Sequence, residues 1–173
     1  MRVLLLTCAL LALAACKEEE VIRPLPVALT EDAVSHYCQM NVMEHGGPKA
    51  QIHLDGLPDP LFFGQVRDAV AFLKSPERDN RVLATYVSDM GAAESWLLPG
   101  TTNWIDADTA HFVIEAGVRG GMGAPEVVPF AEPGDAAAFV SEFGGRVVGL
   151  ADIPDTEVTG PVDPDMTLQE PAS

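Results

Sequence analysis

Two stretches of this chain run through the same order of elements, which predicts an α+β fold of two tandem ββαβ units. Asp68-Ala69-Val70-Ala71-Phe72 matches Asp135-Ala136-Ala137-Ala138-Phe139, and a β-branched run follows each. Short apolar runs bounded by turn-forming residues precede both, so each helix is flanked by strands.

The first unit is assigned to residues 31–100, with Thr30-Glu31-Asp32 opening the folded part. Strands are expected at Ala50–Leu54 and Leu61–Phe63, separated by the turn-forming "DGLPDP". A helix across Gln65–Leu73 and a strand at Val82–Val87 complete it. The second unit is assigned to residues 101–154. "NWIDADTAHFVIEA" carries a hairpin or loop-and-strand centred on His111–Glu115, and "VVPF" is a short extended piece. "EPGDAAAFVSEF" reads as a helix stopped by Gly144-Gly145, and "RVVGLAD" as the closing strand. Residues 155–173 combine acid, proline and little apolar content, so a disordered acidic tail is expected there.

The N-terminus has the layout of an export signal. "MRVLLLTCALLALAAC" sets one cation, Arg2, before an apolar run that ends in Leu13-Ala14-Ala15-Cys16. That ending resembles a bacterial lipobox, which makes residues 1–15 a lipoprotein signal peptide and Cys16 the lipidation site. The competing reading, a signal-anchor helix, meets an apolar run of only about a dozen residues, short for a bilayer. Residues 16–30 are then a tether holding the domain to a membrane of the cell envelope, facing the periplasm. Lys17 after the cysteine, rather than aspartate, leans towards the outer membrane.

Without residues 1–15 the chain keeps nine basic and all 26 acidic residues, a formal charge of −17. Such a surface repels nucleic acid and anionic lipid headgroups. Of the three cysteines, Cys8 leaves with the signal and Cys16 becomes a thioether. Cys38 is left as a lone thiol in a compartment where thiols are oxidised in pairs. It must be buried or occupied.

Its neighbours favour occupancy. Met40 lies two residues on, and in an extended segment side chains at that spacing point the same way. A thiolate with a thioether is a soft donor set that selects Cu(I) over harder divalent ions. His36 or His45 supplies a third donor. Met43 is expected as core filler, and Met40 fits either reading. His53 and His111 fall inside strand patterns and are left out. Met122, flanked by glycines in "RGGMGAPE", is poor core material and suits a ligand that swings in and out.

Other chemistries find no support. "GGPK" lacks the Lys-Ser/Thr of a phosphate loop, no Cys-x-x-Cys occurs, and no serine sits on a strand-to-helix elbow. An enzyme using Cys38 as nucleophile, with His36 or His45 as base, has no identifiable third group to orient the base. A metal-free interaction module requires Cys38 to be simply buried.

"HYCQMNVMEHGGPKAQIHL", "VRDAVAF", "YVSDMG", "NWIDA", "GGMGAPEVVPF" and "GGRVV" occur in that order between Glu31 and Ile153. Together they resemble the NosL family of copper-binding lipoproteins. The resemblance implies a tandem ββαβ fold and a Cu(I) cargo. It also implies apo nitrous oxide reductase, with its membrane-bound maturation machinery, as partner, copper being delivered to the reductase's copper–sulfide centre. Carried over to this chain, the implied ligands are Cys38 and Met40, joined by Met122 and by a histidine, taken as His36. The family pattern usually reads Cys-Gly-Met, whereas Gln39 stands in the middle here, which narrows the backbone choices at that position.

Overall fold

The computed structural model describes residues 23–163 and 165–171. The expected signal sequence and Cys16 lie outside the described residues. In chain order the elements are β1 (Ala50–Leu54), β2 (Leu61–Phe63), α1 (Val66–Lys74), β3 (Val82–Ser88) and β4 (Trp104–Asp106). Then follow β5 (His111–Ile114), β6 (Val128–Phe130), α2 (Pro133–Phe143), β7 (Arg146–Val148) and α3 (Asp155–Thr159), with 3-10 turns at Val42–Glu44 and Leu150–Asp152.

Two antiparallel sheets result, ordered β2-β1-β3-β4 and β6-β5-β7. In each, the first strand of the unit lies between the second strand and the strand after the helix. The ββαβ repeat is therefore present twice with one topology, and β1 and β2 lie at the predicted residues. The division expected after residue 100 is corrected. β4 pairs with β3 through Tyr86–Asp106, Val87–Ile105 and Ser88–Trp104, so it extends the first sheet. The closing strand is also shorter than expected, because Leu150–Asp152 winds into a 3-10 turn.

One core joins the units. Ile52, Phe63, Val66 and Val70 from the first pack with Phe112, Ile114 and Val127 from the second. On α1 the buried Val66, Ala69 and Val70 form a stripe at helical spacing facing that core. A second cluster, with Trp96, Val113, Val128 and Phe130, fills the space under α2.

β1 is buried along its whole length, on both faces. Ala50, Ile52 and Leu54 join the core, leaving Gln51 and His53 on the opposite face. The buried Gln51 needs hydrogen-bond partners. It finds them in the segment expected to be a tether: its Oε1 accepts Val27 N–H at 2.9 Å and its Nε2 donates to Val27 O at 2.9 Å. Tyr86 Oη also donates to Pro24 O, and Arg23 pairs with Asp106 at 2.6 Å. Residues 23–30 are thus docked on the first sheet.

The tail expectation needs the same correction. α3 occupies Asp155–Thr159, with Val158 in the core. Arg67 fastens it, its guanidinium donating to the Glu157 carbonyl and to Gly160 O at 3.2 Å. A cation on the last carbonyls of a helix also opposes the negative end of its dipole. Further on, Gln169 exchanges backbone bonds with Gly117 and Arg119 at 2.7 Å. Among the described residues no helix is long and apolar enough to cross a membrane.

Two ionisable groups lie at the heart of the junction between units. Glu126 is 1 % exposed, and its Oε1 accepts the N–H groups of Arg67 and Val127, both at 2.9 Å. Arg67 stands in the first turn of α1, whose N-cap residue Gln65 makes no side-chain cap. A carboxyl from the second unit therefore caps the helix of the first. Lys49, also 1 % exposed, gives its ammonium to His45 O (2.6 Å), Gly46 O (3.1 Å) and Gly64 O (3.1 Å). Burial pushes Glu126 up to about 8, against the pull of its two backbone donors and Lys49. Burial likewise brings Lys49 down to about 8, with Glu126 opposing.

These values set the pH dependence of stability. Between about 4.5 and 8 the unfolded Glu126 loses a proton that the native state keeps. Its contribution is complete below that window and is lost as pH rises through it. Lys49 restores stability only above about pH 8. In urea titrations, Glu126→Ala should cost about 2–4 kcal/mol, because two buried N–H groups lose their acceptor. Glu126→Gln keeps the acceptor and cannot ionise. Its stability relative to wild type should rise by at least about 1 kcal/mol from pH 5 to pH 8.

Candidate metal centre

Cys38 and Met40 lie on a turn, where an extended segment was expected. Val34 and Asn41 form an antiparallel bridge, and residues 36–38 reverse the chain between them. Ser35 N–H donates to Met40 O and Gln39 N–H to Ser35 O, both at 2.9 Å. The alternation argument for aligning the two sulfurs therefore does not apply. Both residues are instead carried on one hydrogen-bonded turn.

Gln39 sits at φ 58°, in the left-handed region that glycine enters freely. The backbone geometry that suits glycine at this position is thus retained with a side chain present. The side chain contributes its own stabilisation: Nε2 donates to His36 O at 2.8 Å and to Ser35 O at 3.3 Å. Those bonds offset part of the cost of the left-handed conformation.

The turn is fastened to the β2–α1 junction. His36 N–H donates to Phe62 O at 2.7 Å, and Ser35 Oγ accepts Gly64 N–H at 3.2 Å. The His36 ring packs against Phe63 and Phe72, with centroids 5.7 and 5.4 Å away. Tyr37 lies in the same aromatic group. Burial raises the Tyr37 phenol, and the Asp68 carboxylate in the first turn of α1 adds to the rise. Cys38 is a free thiol of intermediate exposure, and Met40 is 41 % exposed. Neither is core material. Met43, expected inside, is 45 % exposed.

The Met122 loop reaches the same junction from the second unit. Its turn is closed by Gly120 N–H to Ala124 O at 2.8 Å and Gly123 N–H to Gly120 O at 2.9 Å. Met122 N–H donates to Gln65 Oε1 at 2.8 Å, and the residue remains 42 % exposed. Glycine is required at 120 for space: a Cβ there would lie 2.5 Å from Glu126 Oε2 and 2.6 Å from Gln65 Oε1. The loop is therefore pinned along its backbone while its thioether stays accessible.

Of the two candidate imidazoles, His36 adjoins the turn and His45 adjoins the loop. A Cβ on Gly121 would lie 2.5 Å from His45 Cβ, and His45 Nε2 is buried with no hydrogen-bond partner among the described residues. A cavity of about 380 Å³ lies beside the loop, lined by His45, Trp96, Leu97, Arg119, Gly120 and Gly121 among others. His53, left out from its strand pattern, bonds Gln51 Oε1 at 3.0 Å.

The turn and the loop carry one thiol, two thioethers and imidazole between them, donor types suited to a soft ion. Among the described residues, no group of three His, Cys, Asp or Glu side chains is arranged to hold a metal. Sequence reasoning singled out the sulfur donors but passed over Gln65, Glu126 and Lys49. In the sequence Lys49 stands only as the last residue of "GGPK", which is no phosphate loop. Its available signal was position, next to a strand buried on both faces.

A model of the NosL family matches residues 26–158. The copper-binding lipoprotein NosL of Achromobacter cycloclastes is 52 % identical over 164 residues, covering 94 % of this chain and 85 % of the relative. Its counterpart from Stutzerimonas stutzeri is 33 % identical over 146 residues, covering 82 % and 73 %. The crystal structure of the copper chaperone NosL from Shewanella denitrificans superposes with a TM-score of 0.70 at 29 % identity, over 75 % of this chain and 95 % of that one. The solution structure of apo-NosL from Achromobacter cycloclastes gives 0.50 at 53 % identity, over 70 % and 95 %.

Gln39 yields a direct test of the turn. Gln39→Ala keeps the left-handed cost and loses both side-chain bonds, so it should destabilise by about 1–2 kcal/mol. Gln39→Gly loses the same bonds but removes the conformational cost, so its loss should be smaller by about 1 kcal/mol. Thermal and urea unfolding of the two variants gives the comparison.

Proposed function

The chain belongs to the NosL family, and from that premise we propose that it is a lipid-anchored copper chaperone carrying Cu(I) on Cys38, Met40 and Met122. The observation that carries this reading is the meeting of two sulfur-bearing loops, one from each unit, on the β2–α1 junction. His36 is the nitrogen donor next to the turn.

Cu(I) is the cargo, and the chemistry suits transfer. A thiolate supplies charge and tight binding, while neutral thioethers bind more weakly and leave first. The exposure of Met40 and Met122 lets an incoming donor add as a resident one departs. Copper loading displaces the thiol proton, so binding weakens towards acid pH. The Cys38 thiol, of intermediate exposure, speaks against a metal-free module built on a fully buried thiol. The relatives' names as binding protein and chaperone speak against an enzyme.

The finer assignments extend this reading. Lipidation at Cys16 holds the carrier in the cell envelope facing the periplasm, with the outer membrane favoured by Lys17. The receiving partner is apo nitrous oxide reductase with its membrane-bound maturation machinery. An acidic carrier is steered towards a basic docking face on such a partner.

Cys38→Ser should abolish tight Cu(I) binding in anaerobic competition with a chromophoric chelator, with the fold intact by circular dichroism. A neutral hydroxyl is a hard donor and cannot replace a thiolate. Met40→Leu should weaken binding less, with a stability change under about 1.5 kcal/mol. Unaltered affinity in Cys38→Ser would refute the assignment.

A further inference from the structure

Gln65 occupies the N-cap position of α1 but makes no cap bond of its own. Glu126 Oε1 performs that service through Arg67 N–H. The Gln65 carboxamide, 2 % exposed, is left for another use. Its Oε1 accepts Met122 N–H at 2.8 Å, and its Nε2 donates to Asp68 Oδ2 at 3.4 Å. The Asp68 bond orients the amide, since a carboxylate accepts only from the NH₂ end. Oε1 is thereby turned towards the loop.

The neighbouring residue of Gln65 closes the connection. Gly64 N–H donates to Ser35 Oγ at the base of the Cys38 turn, and Gly64 O accepts the Lys49 ammonium. Consecutive residues of one junction thus hold the turn and the loop. The absence of a side chain at Gly120 is what allows the loop to approach Gln65 Oε1 this closely.

We propose that Gln65 is a positioning residue of the copper site, holding Met122 in register with the Cys38–Met40 turn through the bond from Met122 N–H. It touches no copper. It removes the search that a free loop would make before its thioether coordinates, and so it raises affinity by pre-organisation. This rests on the reading of Cys38 and Met122 as donors.

The test is a double-mutant cycle on the full lipid-free domain, reading Cu(I) affinity against a chromophoric chelator for wild type, Gln65→Leu, Met122→Leu and the double variant. Leucine keeps the volume of position 65 and removes the acceptor. Gln65→Leu should weaken Cu(I) binding about five- to tenfold, the worth of one hydrogen bond. In the Met122→Leu background the same change should have no further effect. A merely structural role would weaken both backgrounds equally, and that result overturns the proposal, as does unchanged affinity in Gln65→Leu. If Gln65→Leu does not fold, hydrogen exchange on the unaltered apo domain decides. A protected Met122 amide supports the proposal, and one exchanging at the rate of an open loop overturns it. Cys38→Ser serves as the separate control. Retained binding there refutes the copper site itself, whereas loss of binding there with an additive cycle refutes only the role of Gln65.

Discussion

The buried carboxyl of Glu126 is the constraint on which the two units depend. It rises from the second unit just before β6 and supplies the acceptor that the first turn of α1 lacks. Its Oε2 stands against Gly120, and Lys49 pulls against the rise in its pKa that burial causes. Lys49 in turn gathers the carbonyls of His45, Gly46 and Gly64, which lie along the path from the Cys38 turn to the β2–α1 junction. An ordinary cap at Gln65 would have left this helix complete without the second unit. Here the helix is finished only by its neighbour, so both sulfur-bearing loops are located from one buried network.

That arrangement separates the rigid from the exchangeable. Backbone hydrogen bonds and a left-handed residue fix where the turn and the loop run. Met40 and Met122 stay exposed on them and the Cys38 thiol is partly exposed, so a competing donor can reach them. A carrier needs both properties: a site formed before the ion arrives, and donors free to leave one at a time. The acidic surface favours, at longer range, encounter with a surface of positive charge.

Much of this was legible from residue pattern. The two Asp-Ala-rich helices, the strands at Ala50–Leu54 and Leu61–Phe63, and the sulfur-bearing residues all declare themselves through local chemistry. What escaped depends on partners far away in the chain. β4 is only "WID" in sequence, and nothing local says that it will pair with β3 across the unit boundary. α3 looks like tail because its helix is short and acidic. It is ordered by Arg67, a residue about ninety positions earlier. The Cys38 turn reads as extended because a glutamine does not advertise a positive φ, and its own side chain makes that conformation tolerable. Gln65 and Glu126 were passed over for the same reason: each serves the other's unit.

X-ray absorption at the copper edge of the Cu(I)-loaded, lipid-free domain tests the central claim most directly, because it counts the donors that the two loops are said to bring together. Three sulfur scatterers, falling to two in Met122→Leu, are what a site built from both units requires. A shell of one sulfur with two nitrogens, unchanged by loss of Met122, would confine copper to the first unit and contradict the account.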